Sequence, residues 1–313
     1  MFRKVFRVQF HFRPMFPDSR ALSSDVIQIF ANPAAGGFRR RKLHGFVAAL
    51  EKRGARAIVS WSGPEHELFI AEEATAVCSF GGDGTTRHVV TAVSGCGRAL
   101  PISVFPAGTV NLLAREIEEG SDSKLFGLTN SKNIHIHYLA QIENLVFLTC
   151  ASAGPDSRAV GNVSQQSKQR LGKYAYVLSF IKQCFRWPRK KIRLEWECGE
   201  TVCEAFYVAK GKYYAGPWSF APKASVREPY LYVVALPVAN RRNYLKFLLA
   251  LLFNRIEQQK NLVRFTCKTL RADADDHVPV QADGDVIAQL PVTITVRHDP
   301  MTFADLPGSI RNS

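Results

Sequence analysis

The sequence predicts an α/β domain with a parallel sheet, followed by a β-rich domain. Up to about Glu118, strand-like and helical segments alternate at the pace of βαβ units. After Ile134 the pattern changes to a series of short strand-like runs. A length of 313 residues suffices for two domains that each bury a core of their own.

The first predicted strand, 26–30, ends in a turn at residues 31–37. This turn contains Asn32, Pro33 and Gly36. A helix is expected next, because apolar residues recur at helical spacing from Leu43 to Leu50. Four cations at 39–42 crowd its start, where the helix dipole disfavours positive charge. Either an anion binds nearby or this is a solvated basic face.

The second turn, 81–85, follows the apolar stretch 76–78 and leads into a predicted helix at 86–93. Its glycines, Gly81, Gly82 and Gly84, would let the backbone approach an anion without interference from side chains. Asp83 would repel a phosphate unless a proton or a divalent cation lies between them, and Mg²⁺ is the usual bridge. The alternative is a tight turn that uses glycine only for its shape.

The third turn, 106–111, lies between a predicted strand at 102–105 and a predicted helix at 112–117. In a parallel sheet covered by helices, all three turns gather at the carboxyl edge of the strands, where ligands bind in open α/β folds. The three turns therefore predict one nucleotide cleft.

The β-rich domain is predicted from its strand-like runs. These runs are 145–150, 191–197, 202–209, 230–236, 263–270 and 292–296, and helices are expected at 174–185 and 244–256. Asp283-Gly284-Asp285 lies between strand-like segments at 278–281 and 286–290. A glycine-centred turn would display both carboxylates, either for acid–base chemistry or as an ordinary hairpin turn.

The three turns, in this order and spacing, resemble the catalytic domain of the diacylglycerol kinase and sphingosine kinase family of lipid kinases. The likeness continues through 153–156, Lys168, 171–176, 221–224 and 283–285. It implies an N-terminal α/β domain of the NAD kinase and diacylglycerol kinase type that holds ATP, a C-terminal β-rich sandwich domain, and an active site between them. The implied domains are 25–130 and 131–300. Residues 1–24 form a basic aromatic extension, and the last strand or tail, 301–313, is a candidate to pack back on the first domain.

The resemblance also implies roles for single residues. Asp283 is the expected general base that takes a proton from the lipid hydroxyl, and Asp83 is the expected Mg²⁺ ligand, with a base role for Asp83 as the alternative. The residues expected to contact nucleotide are Asn32, Pro33, Gly36, Gly81, Gly82, Asp83, Gly84, Thr85, Gly108, Thr109, Asn111, Lys168 and Asp285. Lys168 and Arg170 would supply countercharge for phosphate, or are simply exposed cations.

The chain departs from bacterial diacylglycerol kinases where they carry carboxylates. Leu112 replaces an acidic residue, His135 an aspartate, and Arg227-Glu228-Pro229 the Asp-Asp-Gly that many of them have. Each change reduces the carboxylate character of the network expected to support Mg²⁺, which prefers hard oxygen ligands. The pair His135 and His137 lies on one face of a strand, but without a third ligand it favours a polar strand face over a metal site.

Composition favours anionic partners, because the formal net charge is +14 and the pI about 9.6. The segment 181–193 mixes cations with aromatic residues, as suits an anionic bilayer surface. The segment 241–255 has an apolar centre too short to span a membrane. It either lies on a membrane or packs on the second domain, and its nearly continuous apolar circumference favours packing. No recognised nucleic-acid module is present, so nucleic acid is not an expected partner.

The expected location is the cytoplasm, with peripheral contact at the inner membrane face, because neither a signal peptide nor a transmembrane run is found. Residues 1–24 are either an anchor or an upstream misassigned start. Seven cysteines, mostly within apolar runs, predict reduced thiols, with a disulfide between Cys198 and Cys203 as the lesser alternative. Whether the chain forms a homodimer is left open by the sequence.

These features together predict an ATP- and Mg²⁺-dependent kinase that phosphorylates a hydroxyl of a diacylglycerol-like or long-chain-base lipid. One alternative is NAD kinase, which shares the Gly-Gly-Asp-Gly turn in a related fold, although the first and third turns fit lipid kinases better. The other alternative is a member of the family that binds nucleotide or lipid with weakened catalysis.

Overall fold

The computed structural model describes residues 25–63, 66–119, 134–155, 157 and 189–304. Several features predicted from the sequence lie outside these residues. They are the extension 1–24, Lys168 and Arg170, the helix at 174–185, and most of the basic aromatic segment 181–193.

The first domain is built on a six-stranded sheet. Its strands are β1 (Val26–Ala31), β2 (Arg56–Trp61), β3 (Ala76–Gly81), β4 (Ile102–Pro106), β5 (Ile134–His137) and β18 (Met301–Ala304). Their order is β2-β1-β3-β4-β18-β5. Strands β1 to β4 are parallel, whereas β18 runs parallel to β4 and antiparallel to β5. Two strands of this sheet come from beyond residue 130: β5, and β18, which lies in the segment 301–313 that was a candidate to pack back on the first domain.

Three helices cover the two faces of this sheet. They are α1 (Arg40–Glu51), α2 (Asp83–Gly95) and α3 (Leu112–Glu119). Helix α1 packs on one face, where the ring of Phe46 meets Phe80 and Phe105. Helices α2 and α3 pack on the other face, in a core that also contains Leu148 and Val226 of the β-rich domain. The hydrophobic core on this side therefore holds the two domains together.

The β-rich domain is a sandwich of two antiparallel six-stranded sheets. Its strands are β6 (Ala140–Ile142), β7 (Leu145–Phe147), β8 (Cys150–Ala153), β9 (Ile192–Trp196), β10 (Gly199–Cys203), β11 (Ala205–Ala209), β12 (Leu231–Leu236), β13 (Val263–Cys267), β14 (Thr269–Asp273), β15 (Pro279–Ala282), β16 (Asp285–Gln289) and β17 (Val292–Val296). The second sheet has the order β10-β9-β14-β17-β6-β7, and the third β13-β12-β11-β8-β15-β16. One continuous apolar core fills the space between them, with Phe147 and Phe206 completely buried.

Three runs that were each predicted as a single strand are divided in the structure into two strands, and the two belong to different sheets. The run 145–150 divides into β7 and β8, the run 202–209 into β10 and β11, and the run 263–270 into β13 and β14. In each run the first strand and the second contribute to the same core from opposite sides. The apolar pattern is continuous for that reason, and it conceals the point where the chain crosses between sheets. All six cysteines of the described residues are free thiols, including Cys198 and Cys203.

A fourth described helix, α4 (Arg241–Leu252), covers the outer face of the third sheet. It begins three residues before the predicted start, because the side chain of Asn240 accepts a hydrogen bond from the Asn243 amide and caps the helix. The Tyr244 hydroxyl lies 2.8 Å from that of Tyr207 on β11. Within the described residues, no helix has both the length and the apolar character needed to cross a membrane.

Candidate active site

The three predicted turns meet at the carboxyl edge of the first sheet. The Asn32 amide nitrogen donates to the Thr85 hydroxyl at 3.0 Å, which joins the first turn to the second. The Gly37 amide donates to the Ala107 carbonyl at 2.8 Å, and the Ala107 amide donates to the Gly81 carbonyl at 2.7 Å. These bonds connect all three turns into one rigid surface.

Glycine is required in this surface because two backbones touch. A Cβ atom added to Gly108 would lie 2.4 Å from the Cα of Gly82 and 2.6 Å from the Asn111 side-chain oxygen. A Cβ atom on Gly36 would lie 3.1 Å from the Thr109 hydroxyl. Gly84 differs, since among the described residues no atom outside the adjoining helix backbone lies within 4 Å of the position its Cβ would take. The turns are therefore packed against one another, and the space above Gly84 is open.

Two asparagines hold the turns in shape. Asn111 has a φ of 55°, a left-handed conformation that asparagine tolerates better than most residues. Its side chain accepts from the Gly108 amide at 2.8 Å and donates to the Gly108 carbonyl at 3.0 Å. The side-chain oxygen of Asn32 accepts from the Ala34 amide at 2.9 Å.

Helix α2 begins three residues earlier than predicted, at Asp83, with Gly82 in extended conformation as its N-cap. The Gly-Asp-Gly part of the second turn thus lies at the start of the helix. The backbone amides of a first helical turn have no partner within the helix, and the helix dipole makes that end electropositive. Together with the open space above Gly84, this arrangement can receive a phosphate group.

A cleft of about 370 Å³ lies beside the first turn. It is lined by Pro33, Phe38, Arg40, Trp61, Ser62 and His66. The indole of Trp61 and the ring of Phe38 meet edge to face, with ring centroids 6.4 Å apart. Aromatic walls next to a cation at the start of α1 can take a flat group that carries phosphate.

Asp83 binds the start of α3. Its two carboxylate oxygens accept from the amides of Leu112 and Leu113, at 3.0 and 3.1 Å. Burial raises the pKa of Asp83, the charge of Asp283 raises it further, and the hydrogen bonds from α3 oppose both effects. Since each carboxylate oxygen has a second lone pair, these bonds leave Asp83 able to bind a cation. The sequence contains no local signal for this cap, because the partners lie 29 and 30 residues away.

Asp283 is held by the segment that links β7 to β8. One carboxylate oxygen accepts from the Leu148 amide at 2.6 Å. The other accepts from the amide and the hydroxyl of Thr149, at 2.9 and 2.8 Å, and from the Cys150 amide at 3.2 Å. Asp283 has a φ of 48°, so the β15–β16 turn holds it in a left-handed conformation. Its carboxylate is thereby held in place by the second domain, and its charge contributes to the raised pKa of Asp83.

Asp285, predicted to contact nucleotide, forms an ion pair with Arg87 of α2 at 2.9 Å. Arg87 also donates to the Ala282 carbonyl at 3.4 Å. The pair ties the turn that carries Asp283 to the helix that begins at Asp83. Sequence reasoning missed Arg87, which stands on α2 without any distinguishing motif.

Lys210 and Glu116, also missed, connect the two aspartates by a longer route. Glu116, on α3, accepts from the Lys212 amide at 2.8 Å. Lys210 is completely buried, and its ammonium donates to the carbonyls of Ser225 and Glu228 at 3.0 and 2.6 Å. The Lys210 amide donates to the Thr149 carbonyl at 2.7 Å, and Thr149 holds Asp283. Helix α3 therefore connects Asp83, which binds its start, to the segment 210–212, and that segment in turn contacts Thr149 beside Asp283.

Leu112 and His135 are two of the positions where the chain departs from bacterial diacylglycerol kinases. Leu112 is buried at the start of α3. His135 is half-buried on β5. Its neighbour on that strand, His137, is buried against the ring of Phe303, with centroids 4.4 Å apart, and burial lowers the pKa of His137 to about 3, aided by the charges of Arg227, His135 and Lys210. In the part of the chain that is described, no three His, Cys, Asp or Glu side chains are grouped to hold a metal ion. A magnesium ion at Asp83 would thus depend on water and phosphate oxygens for its remaining ligands, which is common for Mg²⁺ in kinases.

Replacing Lys210 with methionine is expected to remove a rise in stability between pH 7 and 9. Burial lowers the pKa of Lys210 to about 7, although the negative charges of Glu116 and Glu228 raise it. Between this value and the usual lysine pKa, the unfolded chain binds a proton that the folded chain lacks. The free energy of unfolding should therefore increase by about 1 kcal/mol per pH unit, and the increase should be absent from Lys210→Met.

Urea unfolding at several pH values measures this difference. Above pH 9 the buried thiols of Cys203 and Cys267, whose pKa values burial raises to about 12, lower the stability of both proteins, so the difference between them isolates Lys210. The control is Lys223→Met, at an exposed lysine, which should keep the slope of the wild type. A difference between wild type and Lys210→Met that stays constant from pH 7 to 9 would mean that Lys210 is protonated in the folded state.

Comparison with known proteins agrees with this architecture. Residues 27–136 match the family described as "Diacylglycerol kinase catalytic domain", and residues 149–304 match the one described as "YegS C-terminal NAD kinase beta sandwich-like domain". A protein of Mycobacterium tuberculosis named "Diacylglycerol kinase" is 24% identical over 288 residues, which are 86% of this chain and 91% of that protein.

The fold is also found among solved structures. The crystal structure of a diacylglycerol kinase from Bacillus anthracis superposes with a TM-score of 0.71 and 18% identity, covering 91% of this chain and 98% of that one. At this level of identity the likeness concerns the fold alone. The two matched domains and the two-domain architecture together show that the chain belongs to the diacylglycerol kinase catalytic-domain family of lipid kinases.

Proposed function

We propose that this chain transfers the γ-phosphoryl group of ATP to a hydroxyl of a diacylglycerol-like or long-chain-base lipid, with Mg²⁺, at the cytoplasmic face of an anionic membrane. The observation that carries the proposal is the placement of Asp83 and Asp283. They come from different domains: Asp83 begins α2, and the turn that carries Asp283 is tied to the same helix by the ion pair of Asp285 with Arg87 at 2.9 Å. Two carboxylates next to a phosphate-sized space are suited to metal-assisted phosphoryl transfer.

The nucleotide would bind along the joined turns. The amides at the start of α2 would receive phosphate oxygens above Gly84, where the space is open. The base would enter the neighbouring cleft between Phe38 and Trp61, with Arg40 close to the phosphates. Asn32, Thr85, Gly108 and Asn111 would keep this surface rigid through the hydrogen bonds and close contacts already described.

Asp83 would hold Mg²⁺, which supplies positive charge to the phosphates when bound. The fit rests on the free lone pairs of Asp83 and on the repulsion between its carboxylate and that of Asp283, which a cation would relieve. Fewer protein ligands than in bacterial diacylglycerol kinases would make the affinity for Mg²⁺ depend more strongly on bound nucleotide.

Asp283 would act as the general base. Its carboxylate takes the proton of the lipid hydroxyl, the lipid oxygen forms a bond to the γ-phosphorus, and the bond from that phosphorus to the β-phosphate oxygen breaks to release ADP. One oxygen of Asp283 accepts three hydrogen bonds and the other accepts one, so the second oxygen has a lone pair left for the proton. The four donors would keep that lone pair directed at the acceptor hydroxyl.

The direct test is an assay of the purified protein with ATP labelled at the γ-phosphate. The acceptors are diacylglycerol, a long-chain base and NAD, each with Mg²⁺, with Mn²⁺ or with a chelator. We expect labelled phospholipid from a lipid acceptor, and no product with the chelator. Label in NAD alone would overturn the choice of substrate class. Binding of ATP without product from any acceptor would instead favour a member of the family that binds ligands without turnover.

Replacing Gly84 with alanine is expected to stabilise the protein while weakening nucleotide binding. Alanine is favoured over glycine within a helix by about 1 kcal/mol, and its Cβ would meet no atom of the described residues beyond the adjoining helix backbone. The same methyl group would occupy the space proposed for phosphate, so the affinity for ATP should fall by about tenfold or more. Urea unfolding and isothermal titration calorimetry measure the two effects.

Gly95→Ala is the matched control. Gly95 also lies in α2, and an added Cβ there meets no atom within 4 Å. This variant should leave the affinity for ATP unchanged. Equal ATP affinity in Gly84→Ala and in the wild type would place the phosphate somewhere other than the start of α2.

A further inference from the structure

Helix α4 has a second apolar face that no described residue covers. Tyr244, Phe247 and Leu251 pack against the third sheet. On the opposite side Leu245, Leu249 and Leu252 are 56%, 44% and 48% exposed, and Phe253, directly after the helix, is 69% exposed. We call these four residues the outer face of α4. Large apolar side chains that form a continuous exposed stripe indicate contact with an apolar partner.

Cations border this stripe. At 3.6 residues per turn, Arg241 lies along one side of the stripe, and Arg242 and Lys246 lie along the other. All three are exposed, and Arg255 follows the end of the helix. The sequence of the helix contains no acidic residue. An apolar centre between two rows of cations is the pattern of helices that lie in the interface of an anionic bilayer.

We propose that the outer face of α4 docks this chain on an anionic lipid bilayer. Leu245, Leu249, Leu252 and Phe253 enter the boundary between headgroups and acyl chains, while the flanking cations contact lipid phosphates. A bilayer fits better than a protein partner, because the positive border and the net charge of +14 match a continuous negative surface. The inference deepens the proposed function, on which it rests, by naming the surface through which the kinase would reach its lipid.

The position of α4 supports this assignment. The helix covers the outer face of the sheet that contains β8 and β15, the two strands that flank the Asp283 carboxylate and its donors. Tyr207, which contacts Tyr244 of α4, is on the strand paired with β8. Docking through α4 would therefore hold the third sheet, and with it the turn that carries Asp283, close to the membrane surface, because α4 packs directly on that sheet.

Sedimentation with vesicles tests the proposal. One set of vesicles contains equal parts of phosphatidylglycerol and phosphatidylcholine, and the other contains phosphatidylcholine alone. The wild type should bind the anionic set and lose binding as salt is raised. Leu249→Ser with Phe253→Ser, and separately Arg242→Glu with Lys246→Glu, should each lower the affinity for the anionic vesicles by about tenfold or more.

Matched controls change the same residue types elsewhere. Leu145→Ser with Val202→Ser alters apolar residues of similar exposure, 52% and 53%, in the second sheet. Lys52→Glu with Lys268→Glu gives the same change in net charge at two exposed lysines. Both controls should bind anionic vesicles as the wild type does. All variants should show the thermal unfolding and circular dichroism of the wild type, because only exposed side chains are changed.

Two further measurements keep the outcomes distinct. Kinase activity toward lipid dispersed in detergent micelles should survive in the α4 variants, while activity toward vesicles should fall with binding. If no kinase activity is found in any protein, the vesicle experiment still decides the docking surface. Unchanged vesicle binding by both α4 variants would overturn the proposal. So would a change of oligomeric state in size-exclusion chromatography without a change in vesicle binding, since the occupant would then be a second copy of the chain.

Discussion

Asp283→Asn is expected to lower the turnover number for lipid phosphorylation by about 10²- to 10⁴-fold, the usual contribution of a general base. The amide group cannot take the proton of the acceptor hydroxyl. Binding of ATP should change little, because the nucleotide contacts proposed for the joined turns do not depend on this carboxylate. The measurement is the turnover number at saturating ATP in detergent micelles, beside the dissociation constant for ATP.

The same substitution should also destabilise the protein, and this effect has to be separated from catalysis. Four donors from residues 148–150 converge on the Asp283 carboxylate, and the amide nitrogen of asparagine cannot accept from any of them. Leaving one buried donor without a partner costs about 1–3 kcal/mol. Assays below the unfolding transition, with the folded fraction measured by urea titration, correct for this loss.

Thr149→Val is the control for Asp283. It removes the hydroxyl that donates at 2.8 Å but leaves the carboxylate and the backbone donors in place. We expect a stability cost of about 1 kcal/mol and a loss of turnover below about tenfold. Wild-type turnover in Asp283→Asn would show that the base is another residue, and the Asp83 carboxylate would then be the first candidate.

Asp83→Ala is expected to lower turnover by about 10²-fold or more and to destabilise the protein as well. The variant loses the carboxylate proposed to hold Mg²⁺, and it leaves the amides of Leu112 and Leu113 without their acceptor. Loss of a helix cap costs about 1–2 kcal/mol. Asp83→Asn keeps one acceptor oxygen. It should therefore recover about half of the stability lost in Asp83→Ala, but little of the lost activity.

Asn240→Ala provides the matched control for the cap. It removes the side chain that accepts from the Asn243 amide at 2.9 Å at the start of α4. The stability cost should be similar to that of Asp83→Ala, while turnover in detergent micelles should stay near that of the wild type. If Asp83→Asn turns over as the wild type does at both low and high Mg²⁺, the charge of Asp83 is not used in catalysis.

Much of the first domain could be predicted because its signals are local. Each of the strands β1, β3 and β4 is a short apolar run, and each is followed by a polar or glycine-rich turn and then by helical periodicity. Parallel strands direct such turns to one edge of the sheet, so the order of elements alone predicts a common site. The predicted fold class, an α/β domain with a β-sandwich domain, and the family are both confirmed. The individual site roles stay predictions.

What could not be predicted depends on contacts between distant parts of the chain. Asp83 caps α3, and residues 148–150 donate hydrogen bonds to Asp283. These contacts join positions 29 to 135 residues apart. The three strand-like runs that divide between sheets show the same limit, since periodicity reports which residues are buried but not which sheet buries them. The nearly continuous apolar circumference of α4 predicts a packed helix, and only the structure shows that one side is packed and the other exposed.

The sequence by itself determined the alternation of strands and helices in the first domain, the change to a β-rich second domain, the three turns at one edge of a sheet, and the family. The elements and turns follow from backbone preferences and hydrophobic periodicity, which act over a few residues and can be read along the chain, whereas the family follows from the resemblance that the motifs carry. The tertiary structure alone decided that the turn carrying Asp283 is tied to the helix that begins at Asp83, that Lys210 is buried next to the segment holding Asp283, and that α4 exposes leucines between cations. Each of these depends on burial and on hydrogen bonds between remote residues, whose energies exist only once the chain has folded.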